Sequence, residues 1–208
     1  MGDSAQERRS LLLLLLAATI VALVVSGLHP YDRGTWVLEV LPVLVVLPLL
    51  FVTRSRYPLT TLLYLLIFVH ALVLIMGGAY TYARVPLGFT LQDLFGFQRN
   101  PYDRLGHFLQ GFVPAIAVRE ILIRGKYVRT PAMRNFVTVC IVLAISACYE
   151  FVEWGTALAF GEGAQEFLGT QGDVWDTQWD MFMAVIGAVS ALLLLARLHD
   201  RQLRKLGA

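Results

Sequence analysis

The chain has 208 residues, 57% of them hydrophobic and 15% charged, with a mean hydropathy of +0.65. A soluble domain carries about 25% charged residues, and one of this size has too small an interior to hide so much apolar surface. This excludes an ordinary soluble domain, a disordered chain and a collagen, and leaves an integral membrane protein covered by lipid. The net charge of +2 says nothing about partners, and no Lys/Arg cluster with interleaved aromatics points to nucleic acid. Cys140 and Cys148, the only cysteines, share one apolar run, so no disulfide framework is expected.

Six apolar runs approach or exceed the roughly 20 residues needed to cross a bilayer. They cover 11–28, 36–53, 58–77, 105–123, 135–160 and 180–198. The first follows Arg8 and Arg9, as a signal peptide would. Its nearest small-residue site, Val25-Ser26-Gly27, is a poor cleavage site, so a retained helix is expected. Basic residues set the orientation. Arg8, Arg9, Arg54, Arg56, Arg119, Arg124, Lys126, Arg129, Arg134, Arg197, Arg201, Arg204 and Lys205 fall on one side, thirteen of the 17. Only Arg33, Arg84, Arg99 and Arg104 fall on the other. The pattern predicts an all-α, polytopic, six-helix transmembrane bundle forming one domain over 1–208. Both termini are expected in the cytoplasm, and loops 29–35, 78–104 and 161–179 outside. The basic loops suit contact with anionic lipid.

In the outer loop 78–104, Leu87, Leu91, Leu94 and Phe95 have helical spacing. This predicts an amphipathic helix at the membrane interface or a packed lid. Trp36, Trp154, Trp175 and Trp179 fall near outer boundaries, where an aromatic belt is expected. Pro30-Tyr31-Asp32-Arg33 recurs as Pro101-Tyr102-Asp103-Arg104, each copy just before a span. The repeat reads as a reused turn and N-cap, or as two Asp/Arg groups at the mouth of one site.

Six of the 15 acids gather near the outer ends of spans four to six: Asp103, Glu150, Glu153, Asp173, Asp176 and Asp180. His107 joins them, one helical turn after Asp103. Asp173, Asp176 and Asp180 have a spacing that predicts one helical stripe at the start of span six. Glu150 and Glu153 sit toward a helix C-terminus, where the dipole disfavours acids. Packing so many carboxylates at low dielectric demands protonation or a cation. Oxygen donors with one His suit Mg²⁺, Mn²⁺, Ca²⁺, Zn²⁺ or Fe²⁺. Weaker expectations are that Glu39 joins the site, that His70 makes a satisfied interhelical hydrogen bond, that Arg119 and Glu120 are a solvated pair, and that Gly187 and Ala188 mark close helix packing.

The stretches GGAYTYARVPLG (77–88), RNPYDRLGHFLQGFVP (99–114) and EFVEW (150–154), followed by FLGTQGDVWDTQWDMFMAVIGA (167–188), resemble the YjdF-like family of predicted inner-membrane proteins over nearly the whole chain. That resemblance implies a bacterial cytoplasmic (inner) membrane location but carries no activity. Where the family pattern has His, this chain has Ala79, which would remove one ligand. The layout Asp-Arg-x2-His, Glu-x2-Glu and a later Asp-bearing helix more distantly resembles VanZ-like membrane proteins. That likeness implicates Asp103, His107, Glu150 and Asp180, with Glu153 standing where Gln is usual. The Asp spacing in 173–180 is also similar to half of the motif with which UbiA-type prenyltransferases hold Mg²⁺ and diphosphate.

The leading expectation is a metal-dependent hydrolase or transferase acting at the outer leaflet on a lipid or lipid-linked headgroup. Its divalent ion would be held by His107, Glu150, Asp176 and Asp180, with Asp103 beside them. Glu153 or Asp173 would act as general base. Arg104 would clamp an anionic group, and Arg84, Tyr82 and Arg33 would contact substrate. No Ser or Cys lies in a nucleophile motif. The alternatives are an outer-leaflet lipid binder or proton-coupled carrier using the same acids, and a scaffold whose polar cluster only fixes packing. Membrane lipids are the expected partners; the residues do not specify an oligomeric state.

Overall fold

The computed structural model describes residues 2–161 and 165–207. It is all-helical, with no strand among the described residues. Its elements are α1 (Gly2–Leu28), α2 (Arg33–Thr53), α3 (Thr61–Tyr80), a 3-10 turn at Tyr82–Arg84, α4 (Pro86–Phe95), α5 (Tyr102–Arg124), α6 (Pro131–Phe160), α7 (Gln165–Leu168) and α8 (Asp176–Lys205). α1, α2, α3, α5, α6 and α8 are each long and apolar enough to cross a membrane. At 1.5 Å per residue, even the 20 residues of α3 match a hydrocarbon core of about 30 Å. Five of the six helices start three to nine residues before the apolar run that announces them, because polar residues extend helices past the apolar stretch. α3 instead starts three residues inside its run, at Thr61, after the Thr60 cap.

Local chemistry sets the ends. Asp32 accepts from the Thr35 amide at 2.7 Å and caps α2. That bond holds the Asp32 carboxyl below its ordinary pKa. Thr60 caps α3 by accepting from the Leu63 amide. Pro86 opens α4, and Gly96 closes it in the left-handed conformation at φ +68°. The expected amphipathic helix is therefore present as α4. Leu94 and Phe95 on it are 71% and 63% exposed, an apolar face free to lie in the interface.

The centre of the bundle is the α5–α8 pair. A side chain at Gly111 would collide with the Ala184 carbonyl, and one at Gly187 with the Phe108 carbonyl, so the two backbones touch. Small residues permit this approach, as expected for Gly187 and Ala188. Ala115, Ile116, Ala184, Ala188 and Ala191 form a fully buried seam with Leu63 and Val142. α3 and α6 flank the pair, and α1 and α2 pack on α3. The tryptophans divide: Trp154, Trp175 and Trp179 are exposed, whereas Trp36 turns inward and donates from Nε1 to Ser26 Oγ at 3.0 Å.

At the end of the bundle that holds the termini, one expectation is corrected. Arg119 and Glu120 are not a solvated pair; they are 3% and 0% exposed. Glu120 accepts from the Thr60 amide and hydroxyl, from Arg124 and from His199. Arg119 donates to Asp200 and faces His199 Nδ1 at 3.0 Å. The His199 side chain lies 79 positions from Glu120 in sequence, a pairing that local spacing does not reveal.

Candidate site at the acidic end

α5 opens with Tyr102, whose hydroxyl donates to the Val73 carbonyl and ties the helix start to α3. This sets the next residue, Asp103, inside the first turn, facing inward at 7% exposure. The two Pro-Tyr-Asp-Arg copies thus diverge: Asp32 caps its helix, whereas Asp103 caps nothing. One turn on, His107 lies with its Nε2 3.6 Å from Asp103 Oδ1. α8 brings Asp180 Oδ2 to 3.9 Å from the same nitrogen, and α6 brings Glu150 Oε1 to 4.0 Å from His107 Nδ1. All four residues are buried.

These separations are too long for hydrogen bonds. His107 Nδ1, Glu150 Oε1 and Asp180 Oδ1 are buried with no hydrogen-bond partner among the described residues. Two ligands each about 2.0–2.6 Å from one ion stand roughly 3–5 Å apart. Donor atoms of Asp103, His107 and Asp180 lie within 4.8 Å of one another, and so do those of His107, Glu150 and Glu153. Three helices supply a His and four carboxylates to one place, a donor set suited to a divalent cation.

The remaining expected residues fall around this centre. Asp173 is not on the α8 stripe. Gln171 and Gly172 adopt positive φ, the segment turns there, and α8 starts only at Asp176. Asp173 instead pairs with Arg104 at 2.6 Å and accepts from the Trp175 amide. Arg104 also lies over the Trp179 ring. Asp176 is buried beside the cluster, with Oδ1 2.5 Å from Arg99. Arg99, which the sequence marks only as an outer-loop charge, lies at the rim and also reaches Asp103 at 3.7 Å. Its guanidinium is strapped down by the Thr170 carbonyl, and neighbouring Asn100 exchanges hydrogen bonds with Gln171. Arg99 stands four residues before Asp103, but the intervening Pro101 hides the pairing from a helical reading.

A cavity of about 980 Å³ opens from this cluster. Asp103, His107, Glu153, Glu39, Tyr82 and Tyr149 line its polar end. Glu39 joins the site as expected: it is 3% exposed and accepts from the Tyr149 hydroxyl at 3.2 Å. Tyr82 is buried, and burial pushes its phenol well above the ordinary pKa, so it remains a neutral hydrogen-bond donor. Arg33 is exposed at the start of α2, and neither it nor Arg84 lines the cavity; Arg84 stacks over the Tyr31 ring. His70 also differs from expectation. It lines the cavity, and its Nε2 has no partner among the described residues. Ala79, where a family His would stand, lies in the last turn of α3, and its carbonyl accepts from the Tyr31 amide at 2.9 Å. Gln110, Tyr149 and Arg99 carry no sequence signal stronger than their spacing from His107, Glu150 and Asp103.

Comparison with known proteins agrees with the membrane architecture. The family described as Predicted membrane protein (DUF2238) matches residues 11–201. The Inner membrane protein YjdF of Escherichia coli (strain K12) is 55% identical over 200 residues, covering 96% of each chain. No solved structure matches.

Proposed function

The chain belongs to the DUF2238 family of predicted membrane proteins, and from that premise we propose that it is a membrane-embedded, divalent-metal-dependent enzyme that hydrolyses or transfers a group on a lipid or lipid-linked headgroup. The observation that carries this reading is the Asp103–His107–Asp180 constellation, with Glu150 on the far side of the imidazole, at the mouth of an apolar cavity. Asp103, His107, Asp180 and Glu150 would hold the ion, which would polarise a phosphoryl or acyl oxygen and acidify a bound water. Glu153, on the cavity wall with a donor atom within 4.8 Å of those of His107 and Glu150, would take the proton. Arg99 and Arg104, at the rim, would hold an anionic group. The excess of basic residues at the termini end supports a cytoplasmic position for that end and an outer-leaflet position for the site. By likeness to its relative, the membrane is a bacterial inner membrane.

One observation favours a second reading, a lipid binder or carrier. The cavity runs along α2 from Glu39 to Arg54, about 22 Å at helical rise, and Arg8 and Arg9 line it too. Turnover separates the two. Purified protein in vesicles of headgroup-labelled phospholipid is expected to release label, and both chelation and Asp180→Asn should abolish release. Binding without release in the presence of Mg²⁺, Mn²⁺, Zn²⁺ or Ca²⁺ would leave the carrier reading in its place.

A further inference from the structure

Beneath the carboxylates the cavity carries a second tier of polar groups that the metal reading does not use. His70 comes from the middle of α3. Gln110 comes from α5, three residues and so about 4.5 Å deeper than His107. Both line the cavity, and His70 Nε2 and Gln110 Oε1 are buried without a hydrogen-bond partner among the described residues. A bare buried polar atom costs about 1–3 kcal/mol, and native proteins seldom leave one without a partner. Deeper still the walls turn apolar, with Val113, Pro114 and Ala117 on α5 facing Val46, Leu47 and Leu50 on α2. The order along one cavity is therefore acidic, then hydrogen-bonding, then apolar, before Arg8, Arg9 and Arg54 at the far end.

We propose that the occupant is a monoacyl glycerophospholipid, with its phosphate at the acidic cluster, its glycerol ester and free glycerol hydroxyl between His70 and Gln110, and its acyl chain along the α2 and α5 walls. The phosphate position rests on the metal reading above; the other two do not. The ester carbonyl accepts from a ring N–H of His70, and the one glycerol hydroxyl left free in a monoacyl lipid donates to Gln110 Oε1. A polyprenyl phosphate has no hydrogen-bonding group between phosphate and chain, and would leave both atoms bare. The length also fits: Glu39 to Leu50 spans about 16 Å at helical rise, close to the roughly 15 Å hydrocarbon depth of one leaflet. The volume, about 980 Å³, is at the upper end for a small-molecule site, which runs to about 1,000 Å³.

The full chain, exchanged into mixed micelles holding equal amounts of a monoacyl phosphatidylglycerol and a polyprenyl phosphate, tests this by mass spectrometry of the lipid retained after gel filtration. The parent protein should retain the glycerolipid about tenfold over the polyprenyl phosphate. Gln110→Leu and His70→Phe should each erase most of that preference, while metal content and melting temperature stay at parental values. Gln110→Glu, which keeps an acceptor, should preserve it. Equal or greater retention of the polyprenyl phosphate by the parent protein overturns the assignment, and so does unchanged preference in both folded variants. If a variant fails to fold, the competition on the parent protein decides alone. A metal-free parent protein that still shows the Gln110-dependent preference supports the lipid assignment while ending the metal reading, so the two fail separately.

Discussion

Helices α5 and α8 carry buried ionisable groups at both ends, and the two clusters are built to opposite rules. At the termini end, Glu120 takes hydrogen bonds from four donors, and the His199 ring is used on both sides. Arg119 can only donate, so His199 Nδ1 accepts and Nε2–H donates to Glu120. At the acidic end, His107 is ringed by three carboxylates at 3.6–4.0 Å, none close enough to bond. Three of these buried polar atoms have no partner among the described residues. The same helices thus hold one network in which Glu120 and both His199 nitrogens are bonded, with Arg119 Nε alone of that group lacking a partner among the described residues, and one in which the facing groups stand too far apart to bond. A complete buried network specifies structure, whereas an incomplete one destabilises the fold unless a ligand completes it.

Substitutions at the two ends should separate these roles. The largest effect is expected for Glu120→Ala, which strands His199, Arg124 and Thr60 around an empty position. Removing one partner of a buried charged pair costs about 3–5 kcal/mol, readable as a lower unfolding midpoint in detergent. Protein that still folds should keep its metal. Next is Gly187→Leu, whose side chain would strike the Phe108 carbonyl and drive α5 from α8. Overpacking of this kind costs about 1–3 kcal/mol. Because Asp103 and His107 ride on α5 and Asp180 on α8, metal binding should fall with it.

Asp180→Asn sharpens the contrast. In chelator-treated protein it should raise the melting temperature, since it removes one of several crowded negative charges. With metal it should weaken binding at least 10–100-fold, the range already seen when only an outer-shell partner is lost. The smallest effect is expected from the repeated tetrapeptide. Asp32→Ala removes a helix cap and should cost about 1 kcal/mol with no change in metal content. Asp103→Ala should do the reverse. Equal consequences for the two would contradict the division of labour between the copies.

The six spans are legible in the sequence because apolar length is itself the physical requirement for crossing a bilayer. Asp103, His107 and Asp180 are legible because residues one helical turn apart share a face. The failures have equally physical causes. Asp173 reads as a helical residue because spacing is blind to the turn made at Gln171 and Gly172. Glu120 reads as solvated because its partners Thr60 and His199 come from distant helices. Arg99 is hidden by Pro101, and the free edges of His70 and Gln110 depend on what three other helices fail to supply.

The central claim is that the incomplete cluster holds a divalent ion. Elemental analysis of the protein purified without chelator tests it most directly. Stoichiometric Mg, Mn, Zn, Ca or Fe in the parent protein, lost in Asp180→Asn and kept in Asp32→Ala, is the predicted result. A parent protein that carries no such metal, and takes none up on dialysis against these ions, would contradict the account.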